Sequence, residues 1–274
     1  MSNIIVPIDF SANSIFGLRL AIVYANKMKT DVKMIHVLKE LTTPQVKQKF
    51  EEIIEKHKKA LKKGKLLYKI SKGKIHQEVT NQAKYDESLM IVTSTHGASG
   101  FADIFIGSNA YKIVSSAECP VIIFRKGVCP KDIKKIVVPI DKTETSRQKV
   151  PFAAEQAKFF NAEIQLIGIT DESRKEAEQE IKPYLKQVET FLKERKVKFK
   201  TEFIKGQNNA ETVLNYAKEA KAELIVVMTE QETTLSNILL GPYAQQMANH
   251  ADIPVMFIHP KDNYSRDLFR AFGV

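Results

Sequence analysis

Ile4-Ile5-Val6-Pro7-Ile8-Asp9 is written a second time in this chain, as Ile136-Val137-Val138-Pro139-Ile140-Asp141, 132 residues further on. The register outlasts the hexapeptide. His36-Val37 lies opposite Gly168-Ile169, Gly73 opposite Gly206 and Gly107 opposite Gly241, so the offset drifts only from 132 to 134 residues. So small a drift marks a duplication. Two copies in 274 residues agree with a prior of roughly 150 residues per domain, and 43% apolar residues supply a core for each.

Each copy opens on a β-branched run, 4–8 or 136–140, without polar alternation, as a strand covered on both faces requires. A helix follows, with Ile15, Leu18, Ile22 and Ala25 at helical spacing in the first copy and Phe152, Ala153, Gln156 and Phe159 in the second. Ser11 and Thr143 are the expected caps. Second strands fall at 32–38 and 164–169, charged helices at 45–63 and 176–196, and third strands at 66–70 and 198–204. Helix, strand, helix and strand then complete each copy, at 74–83, 89–93, 109–117 and 121–124, and at 209–220, 224–229, 243–251 and 255–258. This alternation calls for right-handed crossovers and a parallel sheet with helices on both faces. The expected fold is two tandem doubly wound α/β domains, each a five-stranded parallel sheet of Rossmann-like type. The linker is 125–132, with Gly127 and Pro130, which puts the cut near Val128 and the domains at 1–127 and 128–274.

Composition narrows the function classes. No apolar stretch reaches the roughly 18 residues of a membrane span, and Met1-Ser2-Asn3 leads straight into a strand, so a cytoplasmic chain without a membrane partner is expected. Cys119 and Cys129 lack the clustered histidines and cysteines of a metal site, and no metal ligand is assigned. The formal charge of +10 comes mostly from Lys47–Lys74, with eleven lysines against Glu51, Glu52 and Glu55. Lysines on a helix usually form a solvated face; nucleic-acid readers add arginine and aromatic residues, so a nucleic-acid partner is disfavoured.

In doubly wound sheets ligands bind beyond the carboxyl ends of the strands, where strand order reverses. Three segments of the first copy are expected there. Pro7-Ile8-Asp9 puts a carboxylate at the mouth, able to accept from a base or a sugar hydroxyl or to cap the turn before the helix. Ser94-Thr95-His96-Gly97-Ala98-Ser99-Gly100 offers small residues that let a phosphate approach backbone amides. Gly107-Ser108-Asn109 opens a helix whose free amides and dipole favour an anion.

These residues carry a resemblance to the universal stress protein family, in its tandem arrangement. Gly97, the residues 98–106, and Gly107-Ser108 match the family's motif of glycine, nine residues, glycine and a hydroxyl residue. Ser94 stands where the motif's first glycine would be, adding a side chain where a backbone approach is expected. Pro7 to Ser11, His36-Val37 and Cys119-Pro120-Val121-Ile122-Ile123 extend the likeness over nearly the whole chain. The resemblance implies an adenine nucleotide α-hydrolase-like fold and ATP, or a related adenine nucleotide, with or without Mg2+. Pro7, Ile8 and Asp9 match positions along the nucleoside, Val37 the position flanking adenine, and Gly97, Gly107, Ser108 and Asn109 the phosphate positions. Ser11, Ser94 and His96 complete the candidate binding set. Pairing through the last strands, 121–124 and 255–258, is likewise implied, giving an internal pseudo-dimer and room for a homodimer.

The second copy keeps Asp141 and Gly241, but Pro242 replaces the serine, and Glu230 and Glu232 put carboxylates where phosphate oxygens would lie. The fold tolerates proline at a helix start, whereas an anion site does not, so no triphosphate is expected there. No nucleophile is paired with a base, His96 stands alone and the Walker-type lysine is missing, so no catalytic residue is assigned. Three readings follow: a stress-response module that binds ATP in its first domain, a scaffold that meets an acidic partner through Lys47–Lys74, or a weak ATPase. The first is preferred.

Overall fold

Runs of Ile, Val and Leu that bury both faces make the strands, and the amphipathic segments between them make the covering helices. The structure is a computed structural model that describes residues 3–95, 106–125, 130–170, 176–229, 231–234 and 237–260. The chain divides into two compact units, Met1–Lys131 and Asp132–Val274. The expected cut near Val128 lies outside the described residues.

The first unit runs β1 (Asn3–Pro7), α1 (Ala12–Met28), β2 (Asp31–Val37), α2 (Thr43–His57), β3 (Leu66–Ser71), α3 (Ile75–Tyr85), β4 (Met90–Ser94), α4 (Ser108–Ser116) and β5 (Val121–Phe124). Its sheet has the order β3-β2-β1-β4-β5 and is parallel throughout. Ile4, Ile5 and Val6 have no accessible surface, and each such side chain contributes about 1.5–3 kcal/mol relative to exposure. α1 lies close on the sheet because Gly17 leaves room for the Phe124 ring, 3.4 Å from where a Cβ would sit.

The second unit repeats the plan: β6 (Lys135–Ile140), a 3-10 turn (Glu144–Arg147), α5 (Val150–Phe160), β7 (Glu163–Thr170), α6 (Ala177–Glu194), β8 (Phe199–Lys205), α7 (Asn209–Glu219), β9 (Leu224–Met228), β10 (Gln231–Thr234), β11 (Asn237–Leu240), α8 (Pro242–His250) and β12 (Val255–Ile258). Its parallel sheet has the order β8-β7-β6-β9-β12. In each unit the outer strand, β3 or β8, alternates half-buried with exposed positions, and Lys69, Lys200 and Glu202 point to solvent. No helix among the described residues is long and apolar enough to cross a membrane.

Three local features differ from expectation. α2 ends at His57 rather than running to Lys63. Beyond it Lys58, Lys59, Lys62 and Lys63 would stack like charges at i,i+4, and Asn26 captures the loop by donating to Ala60 O at 2.8 Å and accepting from Lys62 N–H at 2.6 Å. Thr143 does not cap a helix: its hydroxyl donates to Asp141 Oδ1 at 2.5 Å, and the chain makes a 3-10 turn before α5. Finally, β10 and β11 pair antiparallel between β9 and α8, where no element was assigned, with Gln231 opposite Leu240 and Thr234 opposite Asn237.

Candidate functional site

Strand order reverses between β1 and β4: the chain proceeds from β1 outward through β2 and β3, then returns to pair β4 with the other side of β1. The carboxyl ends of these two strands therefore flank the switch point. Pro7 closes β1, and Ile8 is buried, its N–H bonded to Ile35 O at 2.7 Å. Asp9 is exposed at the rim, and its Oδ1 accepts from Ser11 N–H at 3.0 Å and from the Ser11 hydroxyl at 2.5 Å. Ser11 Oγ in turn accepts from Ser14 N–H at 3.2 Å, capping α1. Asp9 is thus held by the turn it builds, and Ser11 serves the helix start.

Val37 is buried at the end of β2, and half-buried Ser94 ends β4 opposite Phe124. Thr95 ties this end to the next helix, donating its N–H to Phe124 O at 3.0 Å and accepting from Gly107 N–H at 2.8 Å. That closeness explains the glycine: a Cβ at Gly107 would sit 2.9 Å from Thr95 O, a backbone atom that cannot swing aside. Gly107 is the N-cap of α4 without a side-chain bond, and Ser108 and Asn109 are exposed in the first turn, which holds no acidic residue. His96 and Gly97 lie outside the described residues.

Two features of this rim were not read from the sequence. Phe10, between Asp9 and Ser11, has a φ of 65°, an uncommon conformation for a bulky residue. Its ring packs 4.7 Å from that of His36 and 5.3 Å from Phe50, and Phe50 stacks on Tyr68 at 4.6 Å. His36 Nδ1 contacts Ile8 O at 2.7 Å, joining this cluster to the end of β1. The other feature is cationic. Burial first, then the charges of Lys112 and Lys74, push His76 below the usual imidazole range. Lys74 precedes α3, and Lys112 is one turn into α4. Setting Lys74 and Lys112 beside their counterparts in the second copy would have revealed them.

At the matching rim of the second unit, Asp141 Oδ1 accepts from Thr143 N–H at 2.7 Å as well as from the Thr143 hydroxyl, and Asp141 N–H donates to Ser146 Oγ at 3.1 Å. Asn208 caps α7 by accepting from Ala210 and Glu211 N–H, and donates Nδ2 to Gln246 Oε1 on α8 at 2.8 Å. A cavity of about 280 Å³ opens beside them. A separate groove of about 640 Å³ runs along α7 and α8 over Leu214, Ala217 and Ile225. Among the described residues no three His, Cys, Asp or Glu side chains gather as a metal site.

The family model of the universal stress proteins matches the chain twice, at residues 1–125 and 132–259. The chain belongs to the universal stress protein family. A universal stress protein of Methanocaldococcus jannaschii is 33% identical over 142 residues, covering 46% of this chain and 81% of that protein. One from Bacillus subtilis is 28% identical over 146 residues, covering 45% and 99%. A solved universal stress protein from Archaeoglobus fulgidus superposes with a TM-score of 0.74 at 18% identity, over 95% of this chain and 97% of its own. That structure supports the fold alone. Two universal stress protein domains on one chain, each a doubly wound α/β unit, therefore stand as found.

Proposed function

We propose that this universal stress protein binds an adenine nucleotide, ATP foremost, in its first unit, and acts by binding rather than by catalysis. One observation carries the reading: the switch point between β1 and β4 is flanked by the Asp9 turn on one side and by the glycine-capped start of α4 on the other. The first-turn amides of α4 at Ser108 and Asn109, with the positive end of the helix dipole, suit a phosphate group. Asp9 and the Pro7–Ile8 strand end suit the sugar, and Val37 suits the base. His96 and Gly97 belong to the same proposed set, and Mg2+ would accompany the phosphates.

Mass spectrometry of the supernatant after denaturation, with calorimetric titration of ATP into the nucleotide-free chain, tests this. Adenine nucleotide at about one per chain supports it; a protein that carries none and takes up none defeats it.

A second reading has its own support. All eleven lysines of Lys47–Lys74 are exposed, a surface fit for an acidic partner. Binding through that face would weaken steeply with salt, whereas a pocket built from backbone amides would respond less.

A further inference from the structure

α3 and α7 start behind the N-caps Lys74 and Asn208, and α4 and α8 behind Gly107 and Gly241, so a single offset of 134 residues relates both helix starts. On that register Lys74, His76, Ser108 and Lys112 correspond to Asn208, Ala210, Pro242 and Gln246. The second copy reveals what such positions face. Asn208, Ala210, Pro242 and Gln246 line a single cavity together with Asp141 and Ile169, the counterparts of Asp9 and Val37. Asn208 Nδ2 donates to Gln246 Oε1 at 2.8 Å, so side chains at these two places touch across the helix starts.

In the first copy two lysines occupy the places of those touching carboxamides. Lys112 lies one turn beyond Ser108 on the same face of α4, and helical side chains lean toward the amino end, which carries its ammonium group over the first turn. The charges of Lys74 and Lys112 both act on half-buried His76, near the start of α3. Among the described residues neither lysine forms an ion pair. Glu78, the acidic residue in the first turn of α3, is drawn back over Gly73, its Oε1 3.3 Å from where a Cβ would sit. Two uncompensated ammonium groups repel one another, and an anion placed between them at the start of α4 relieves that repulsion. Where the second copy gives up the helix-start amide for Pro242, it gives up all three basic side chains as well.

We propose that Lys74, His76 and Lys112 read the outer phosphates of the nucleotide, so that the first unit selects adenine nucleotides by phosphate number, triphosphate over monophosphate. The inference rests on the nucleotide reading above and assigns its specificity to residues of α3 and α4. Each lysine supplies a charge-assisted donor to phosphate oxygens beyond the reach of the α4 amides, and His76 adds an imidazole donor between them.

Calorimetric titration of ATP and of AMP into the nucleotide-free full chain tests this, with Lys74→Asn, His76→Ala and Lys112→Gln, each of which installs the second copy's residue. Both lysines are exposed, and asparagine is a good N-cap, so the helix starts should be retained. The parent should bind ATP at least about tenfold more tightly than AMP. Each lysine variant should lose about tenfold or more in ATP affinity while AMP stays within about threefold, and His76→Ala should lose about threefold toward ATP alone. Lys29→Asn removes the same charge at the far end of α1, where asparagine suits the left-handed φ of 56°; it should leave ATP affinity within about twofold. Inorganic tripolyphosphate should bind the parent and be lost from the double variant Lys74→Asn/Lys112→Gln. ATP binding with an unchanged ATP-to-AMP ratio in both lysine variants, or an equal loss in Lys29→Asn, would overturn this assignment and leave the nucleotide reading standing. A chain that binds neither nucleotide would overturn both.

Discussion

Replacing Ser108 by glutamate sets the needs of the helix against those of the ligand. Ser108 is exposed in the first turn of α4, which holds no acidic residue. A carboxylate there faces the positive end of the helix dipole, worth about 0.3–1 kcal/mol of stability. Ser108→Glu should therefore melt at or slightly above the parent. Toward a phosphate the sign reverses. With the carboxylate about 5 Å from a phosphate oxygen, Coulomb's law gives roughly 0.8 kcal/mol of repulsion in bulk water and roughly 3.3 kcal/mol at an effective dielectric of about 20. ATP affinity should fall between about 4-fold and about 250-fold. Calorimetric titration of ATP reads the affinity, and thermal unfolding of the same samples reads the helix. ATP affinity within about twofold of the parent, in a variant of equal stability, would refute an anion at this helix start.

Phe10→Gly should relieve a left-handed backbone worth about 1–2 kcal/mol while losing ring contacts worth about 3 kcal/mol, for a net loss of about 1–2 kcal/mol in urea unfolding. A variant as stable as the parent would show that the aromatic cluster does not hold the turn. At Asp86 burial opposes the charge, but hydrogen bonds from Lys33, Gln82 and Asn3 outweigh it and hold the carboxyl below the usual carboxylate range. Its stabilisation is present above the unfolded value of about 3.9 and is lost as pH falls through the lower folded value. Asp86→Asn should cost about 2 kcal/mol at neutral pH, with the gap to the parent closing in acid; a gap constant with pH would contradict this. Gly168→Ala places a Cβ 2.7 Å from Phe203 Cδ2 and 2.8 Å from Leu185 Cδ1. The cost should be about 1–3 kcal/mol, read as a lower melting temperature; no change would mean that both side chains rearrange freely.

The covered strands were legible because a strand buried on both faces reads as an unbroken apolar run, as at Ile4 to Val6 and Ile136 to Val138. Ser11 was legible as a cap because its hydroxyl sits at the right distance from the first helical turn. Thr143 carries a hydroxyl at the equivalent place, yet Ser146 bonds the Asp141 amide and the chain makes a 3-10 turn, a tertiary competition that local propensity does not encode. The left-handed Phe10 was hidden for the same reason: packing against His36 and Phe50, distant in sequence, offsets its backbone cost. Asp9 and Gly107 stood out in the sequence as candidate site residues, but the role of Asp9 in holding Ser11 and the Thr95 contact that demands glycine needed coordinates. The cations of the first rim emerge only when each helix start is set beside its copy.

The lysines at the sheet margins have a consequence for how the chain behaves in concentrated solution. A strand from another molecule that added to β3 or β8 would bring its own charges against Lys69 or against Lys200, and would strip water from those ammonium groups. Between chains of net charge +10 that repulsion acts over a Debye length, about 10 Å at 0.1 M salt but only about 3 Å at 1 M. Colloidal stability is therefore an electrolyte-dependent property of this molecule even where its folding is not: concentrated salt would leave the buried strands intact while removing the barrier that keeps the outer ones from meeting.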